Sequence, residues 1–275
     1  MKMLFNYWIS GGSKPGLHPS TLSVDLDMKQ KLWINVIVRS GLLLLLFCVG
    51  TRIFAATYYI STAGSDSNPG TPSQPWLTVQ KAANTVVAGD TVNIAAGAYA
   101  QNATESTSGV NGSPITFCGP GQVQKFSITG NYVILTNLNL GTTGGSVTQM
   151  YTDSTPIVNL TGTGDIVTSC YIRGYNSGRG IVLNGSGEII TNCDFTAMAW
   201  DSVFFVTAES ASNCLIVNNN FHDQDNSDAM GFVWGVNITI RGNLSTNCQN
   251  SRYDLVHADF IQNFANSSSS VASNV

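Results

Sequence analysis

DIVTSCYI (165–172) and EIITNCDF (188–195) align residue for residue, and the same window returns as YVILTNLNL (132–140), LIVNNNF (215–221) and ITIRGNLS (238–245). One apolar column holds Leu135, Val167, Ile190, Ile216 and Ile240. Two positions later stand Asn137, Ser169, Asn192, Asn218 and Gly242, then Leu138, Cys170, Cys193, Asn219 and Asn243. A last column, Leu140, Ile172, Phe195 and Phe221, is apolar until Ser245 breaks it. The copies lie 32, 23, 26 and 24 residues apart, one supersecondary unit per copy and too uneven for a solenoid of helical repeats. Short β-branched runs broken by Asn and Gly at this period predict an all-β chain, a parallel β-helix whose coils pair strand on strand at about 4.8 Å. The apolar columns then stack inside. Asn in the turn column accepts a left-handed backbone and is expected to ladder its amide with its copies in adjacent coils. Cys170 and Cys193, one coil apart in one column, are either a disulfide or a stack of buried thiols.

The composition agrees. Of 275 residues, 43% are hydrophobic and only 10% charged, against about 25% charged in an ordinary soluble domain. The difference is made up by 27 glycines with Asn, Ser and Thr, residues that weaken helix interiors, so an all-α chain is excluded. Recurring Ile, Val, Leu and aromatics exclude a disordered chain. From Met28, basic Lys29, Lys31 and Arg39 precede an apolar run, Leu42 to Val49, and then small Ala55 and Ala56: signal-peptide grammar, with cleavage expected near Ala56. The run is too short for a spanning helix, which needs about 20 apolar residues. Residues 1–27 read as a leader outside the fold, 28–56 as the signal, and 57–275 as the β-helix domain, expected to be incomplete at its C-terminal side. Beyond residue 56, six basic residues face 14 carboxylates, a net charge of −8. Without a basic cluster there, nucleic acid is excluded as a partner. The chain is expected to be secreted or periplasmic, monomeric, and off the membrane once the signal is removed.

Residues 78–87 (TVQKAANTVV) form the one helix candidate, followed by Gly89 and the strand DTVNIAAGAY, and a short helix there is expected to cap the solenoid's open end. The turn from Gly64 to Thr71, Pro75-Trp76, Thr78 with Gln80-Lys81-Ala82, and Gly89-Asp90-Thr91-Val92 followed by Gly97 and Tyr99 resemble the opening of secreted bacterial right-handed parallel β-helix proteins, the pectate-lyase-like superfamily. With the repeats, the resemblance covers about residues 57–262. It implies the fold, export and a polysaccharide-facing role. The superfamily spans polysaccharide lyases, glycoside hydrolases, epimerases and proteins without known activity, so the reaction is not implied.

Titratable groups concentrate between 194 and 259: Asp194, Asp201, Glu209, His222, Asp223, Asp225, Asp228, Asp254, His257 and Asp259. A second alignment sets WDSV (200–203), SDAM (227–230) and ADFI (258–261) in register, making a column of Asp201, Asp228 and Asp259. Three stacked carboxylates repel unless a cation or shared protons compensate, so the column is a candidate calcium or acid/base site, with Asp225 and Asp228 as candidate metal ligands. The competing reading makes each Asp a turn residue, since each sits two positions before an apolar one. His222 follows inward-facing Phe221 and should point outward, within reach of Asp223, Asp225 and Asp228. His257 and Asp259 share one face of a strand. Asp66 and Asn68 are expected to form Asx turns. Lyase chemistry on an acidic polysaccharide needs a base and a neutralising cation, in this superfamily Lys or Arg with calcium or a second basic group, and Arg252 is the candidate base or substrate clamp. A glycoside hydrolase needs only two carboxylates, which the Asp column supplies. A non-catalytic, sugar-binding β-helix is the third reading.

Overall fold

Left-handed corners at fixed positions bend this chain into coils. The computed structural model describes residues 55–142, 155–174, 179–197, 201–205, 211–225, 229–232, 235–249, 261–263 and 270–273. The first corner is the predicted turn column: Asn137, Ser169, Asn192, Asn218 and Gly242 have φ of 56, 53, 53, 56 and 66°. Asn, Gly and small polar residues adopt this region at least cost. A second corner of the same kind, not anticipated, runs through Tyr132, Gly164, Gly187, Asn213 and Asn237, with φ between 52 and 70°.

Between the corners, strands stack in parallel. One sheet runs through Thr57–Ile60, Thr91–Ile94, Ile115–Cys118, Val133–Thr136, Ile166–Thr168, Ile189–Thr191, Leu215–Val217 and Gly235–Arg241. In the other sheet the strand Gln122–Ile128 pairs through its start with Asn139–Thr142 and through its end with Val158–Leu160, and from there two stacks continue. The second stack holds Tyr171–Gly174, Asp194–Thr196, Asn220–Asp225 and Leu244–Gln249, the third Arg179–Leu183, Asp201–Phe205, Met230–Phe232 and Ile261–Asn263. The register is the one read from the repeats: Leu135 opposes Val167, Val167 Ile190, Ile190 Ile216, and Ile216 Ile240.

These columns form the core. Leu135, Val167, Ile190, Ile216, Ile172, Phe195 and Phe221 are fully buried, and the Phe195 and Phe221 rings stack with centroids 4.8 Å apart. Each such side chain contributes about 1.5–3 kcal/mol of apolar transfer. Cys170 and Cys193 are buried free thiols, donating to the carbonyls of Leu135 and Val167 in the preceding coil. The amide ladder forms one residue later than expected. Asn219 Oδ1 accepts from Cys193 N at 2.9 Å, and its Nδ2 donates to Ile190 O at 3.1 Å and to Asn243 Oδ1 at 2.9 Å. At the first corner Asn192 uses its backbone instead, its N–H bonding Val217 O, whereas at the second corner Asn237 Nδ2 donates to Asn213 Oδ1 at 2.7 Å. Asn219→Ala strands buried donors and acceptors in two coils and should destabilise by about 2–3 kcal/mol in urea unfolding; an unchanged midpoint would show that the ladder carries no stability.

The helix is shorter than predicted, Val79–Ala83, because β-branched Thr85, Val86 and Val87 disfavour its continuation and Asp90 Oδ2 takes the Val87 N–H at 2.9 Å. It does cover an edge: the Gln80 side chain donates to Thr104 O at 3.0 Å and accepts from Thr104 N at 2.8 Å, standing in for a strand partner of Ala98–Glu105. Asp66 forms a longer clamp than an Asx turn, accepting from Leu77 N, Thr78 N and Thr78 Oγ1 at 3.0, 2.9 and 2.6 Å. Burial opposes its ionisation, but the bonds from Thr78 and Leu77 outweigh that and hold its carboxyl below the ordinary range.

The interior also carries buried carboxyls. Asp165 and Glu188 occupy the inward position that begins each first-sheet strand, the column of Val133 and Cys214, and both are fully buried. Asp165 Oδ1 accepts from Val133 N at 2.9 Å, and the Cys214 thiol lies 3.8 Å from Glu188 Oε2. Asp165 Oδ2 and Glu188 Oε1 have no hydrogen-bond partner. Burial pushes Asp165 up to about 7, and burial together with the neighbouring Asp165 charge pushes Glu188 up to about 9. Glu105, also fully buried, accepts from Thr107 N at 2.6 Å and is raised by burial to about 7.

Candidate functional site

The outer side of the second stack gathers the polar chemistry. Alternation along each strand turns Phe195 and Phe221 inward and leaves two outward columns. One runs Asn139, Tyr171, Asp194, Asn220 and Leu244; the other runs Gly141, Arg173, Thr196, His222 and Thr246. At their centre His222 Nε2 lies 2.8 Å from Asp194 Oδ1, from the preceding coil, and Nδ1 lies 2.7 Å from Asp223 Oδ2. The His222 side chain is 22% exposed, those of Asp194 and Asp223 35% and 59%. Asn220 Nδ2 donates to Asp194 Oδ2 at 3.2 Å, and Asn247 Nδ2 donates to Asp223 Oδ1.

A ring with a carboxylate on each nitrogen is held as the imidazolium, since both nitrogens must donate. Partial burial works against that charge, but the hydrogen bonds His222 donates to Asp223 and Asp194 outweigh it and raise its proton affinity above the ordinary imidazole value. The Asp223 carboxyl is held below its usual range, first by the Asn247 amide and then by His222.

Two coils back, at roughly twice the 4.8 Å strand spacing, the Arg173 guanidinium stacks 4.0 Å over the Tyr171 ring, and its Nε has no hydrogen-bond partner. Farther along the same stack, an open hollow of about 160 Å³ is lined by Tyr99, Gln122, Gln124 and Thr142.

His222 points outward as expected and meets Asp223, but its second partner is Asp194 from the neighbouring strand. Asp225 ends the strand Asn220–Asp225, its backbone opposite Gln249, and Asp201 begins Asp201–Phe205, opposite Arg179; the side chains of both lie outside the described residues. The second alignment's register holds where it is described, Val203 opposing Met230 and Met230 opposing Ile261. Asp228, Arg252, His257 and Asp259 lie outside the described residues. Among the described residues no three His, Cys, Asp or Glu side chains converge as metal ligands, and no helix is long and apolar enough to cross a membrane. Among the described residues, the cation that this stack places near His222 is Arg173, far from the acidic cluster in sequence. Arg241, which is nearer that cluster in sequence, lies in the other sheet.

No protein-family profile matches the chain. A stretch of 59 residues is 42% identical to the uncharacterized protein YwoF of Bacillus subtilis (strain 168), covering 22% of this chain and 13% of that protein. Among solved structures, pectate lyase Pel9A superposes with a TM-score of 0.51 at 14% identity, over 76% of this chain and 58% of that one. XylC, solved in complex with xylose, superposes with a TM-score of 0.53 at 10% identity, over 70% of this chain and 62% of that one. The chain thus spans less than two thirds of the length of each. Likeness at these identities is likeness of fold, and by fold this chain is a parallel β-helix protein.

Proposed function

We propose that this protein binds an acidic polysaccharide along the outer side of its second stack and cleaves it as a lyase. The observation that carries the reading is His222 held between Asp194 and Asp223 on the same outward face as Arg173 stacked on Tyr171. The interior is filled with side chains, so only outward columns can follow consecutive sugars. Tyr171 offers a ring face to a sugar, and the Arg173 guanidinium offers a fork matched to a carboxylate. β-Elimination takes a proton from the carbon beside the carboxylate of the sugar lying at His222, while Arg173 holds the carboxylate of a neighbouring sugar, and returns one to the leaving glycosidic oxygen. His222 is the acid–base group, its proton serving the leaving oxygen, and a carboxylate released from it is the base. The segment 28–56 fits the reading as an export signal.

A hydrolase is the second reading, because Asp194 and Asp223 stand apart by one imidazole and two hydrogen bonds, within the range of about 5–9.5 Å used by paired glycosidase carboxylates. Incubation with a panel of uronate-containing polysaccharides separates the two: an unsaturated, ultraviolet-absorbing product marks the lyase, new reducing ends without it the hydrolase. His222→Gln is expected to lower either rate by about 100-fold or more. Wild-type turnover by that variant, or no product and no binding across the panel, would overturn the proposal.

A further inference from the structure

His222 faces outward, so its sequence neighbour should face the core; yet the Asp223 carboxylate lies outside, against the same ring. The backbone explains this. Asp223 sits at φ 50°, which breaks the alternation of its strand, and the positions stacked on it in adjacent coils, Ala197 and Asn247, share that geometry at φ 55 and 51°. Ala197 N bonds Asp223 O at 3.4 Å, tying the column together. Resting on the reading of His222 as the acid–base group, we propose that Asn247 is a positioning residue for this site: its amide, one coil beyond, pins the Asp223 carboxylate onto His222 Nδ1.

The chemistry of the column supports this. Asp223 has two oxygens in use, Oδ2 on the imidazole and Oδ1 on the Asn247 amide, so the carboxylate is held from both sides in one orientation. It is exposed and sits on a left-handed residue, and without the amide it would be free to turn into water. Asn is one of the few residues with a side-chain donor that tolerates this backbone. It is also neutral. Among the described residues, the charged groups facing His222 are Asp194 from the preceding strand, Asp223 from its own, and Arg173 two coils away. Opposite it from the following strand stands Thr246, so that strand contributes no formal charge at the paired position. The side chain of Ala197, the preceding copy of Asp223, has neither charge nor donor, so among the described residues the arrangement occurs once.

Two variants of the full chain test the assignment. Asn247→Gly keeps a residue suited to the left-handed backbone while removing the amide, and Asn247→Asp keeps the shape but replaces the donor with a second carboxylate. The readout is the NMR titration of the imidazole Cε1–H groups. The chain has three histidines, and the His222 signal is identified by its loss in His222→Gln. Asn247→Gly should lower the His222 midpoint by roughly half a pH unit, and Asn247→Asp should raise it, both with unchanged circular dichroism. Midpoints that stay at the wild-type value in both variants, or move the same way, would overturn the positioning role. No substrate is needed, so an inactive protein with shifted midpoints defeats the lyase reading alone, and an active one with unmoved midpoints defeats this inference alone. If activity is found, Asn247→Gly should lower kcat and shift its pH profile with KM little changed.

Discussion

Glutamine in place of Glu188 is expected to stabilise the protein at neutral and alkaline pH and to leave it nearly unchanged near pH 4. The Glu188 carboxyl is fully buried and raised from 4.5 to about 9, by burial first and then by the Asp165 charge. Below the unfolded value both states hold the proton, and nothing is lost. Above it the unfolded chain ionises while the folded one does not, so stability falls by about 1.4 kcal/mol per pH unit until the folded value is passed. For this one group the ceiling is about 3 kcal/mol at pH 7 and about 6 kcal/mol at pH 9. Asp165 and Glu105, each raised to about 7, add losses that are complete by about pH 7. A neutral amide of the same shape removes the Glu188 share and offers a donor toward Asp165. Thermal melts of both proteins from about pH 4 to 9 check this: the curves should coincide in acid and diverge steadily above it. Curves that run parallel would mean that Glu188 is ionised inside the fold or that the site is open to water.

Gly185→Ala is expected to destabilise the protein strongly, and at every pH. A Cβ there would stand 1.9 Å from the Gly162 carbonyl oxygen of the preceding coil and 2.4 Å from Glu188 Oε1. Gly162 repeats the arrangement, 1.9 Å from the Gly130 carbonyl and 2.6 Å from Asp165 Oδ2. The obstacle is backbone held by strands on both sides, so relief requires separating two coils, and a loss of about 3–5 kcal/mol or more follows. Urea unfolding measures it where the variant is recovered folded. Wild-type stability would show that the corner can widen. Gly185→Ala combined with Glu188→Ala should regain little, because the carbonyl contact remains.

The fold was legible because stacking turns each inward position into a column, and columns survive in sequence as the repeat of Leu135, Val167, Ile190, Ile216 and Ile240. The Asn turns were legible for the same reason. Asp165 and Glu188 escaped because charged residues in an apolar column contradict the pattern used to find it. The signal was nonetheless present: LTGTGD (160–165) and LNGSGE (183–188) pair each acid with the glycine that makes room for it. His222 was found from the parity of Phe221. Its partner Asp194 was present in the alignment, opposite Asn220, but the contact is diagonal across two coils and demands knowing that Asn220 and His222 share a face. Arg173 was hidden by distance along the chain, 49 residues before His222 although only two coils away.

The left-handed corners carry an implication for how such a protein changes over time. Because the bends recur at matching places in each coil, a whole coil of 23 to 32 residues behaves as a cassette. Adding or removing one cassette keeps every inward side chain inward, whereas slipping a single residue would turn a strand inside out. The His222 cluster, however, draws Asp194, His222 and Asn247 from three successive cassettes. A cassette inserted between Thr196 and Asn220 would therefore leave the scaffold standing and abolish the cluster in one step, and its removal would restore it. Chemistry on this frame can be switched on and off by lineage without the fold ever being put at risk.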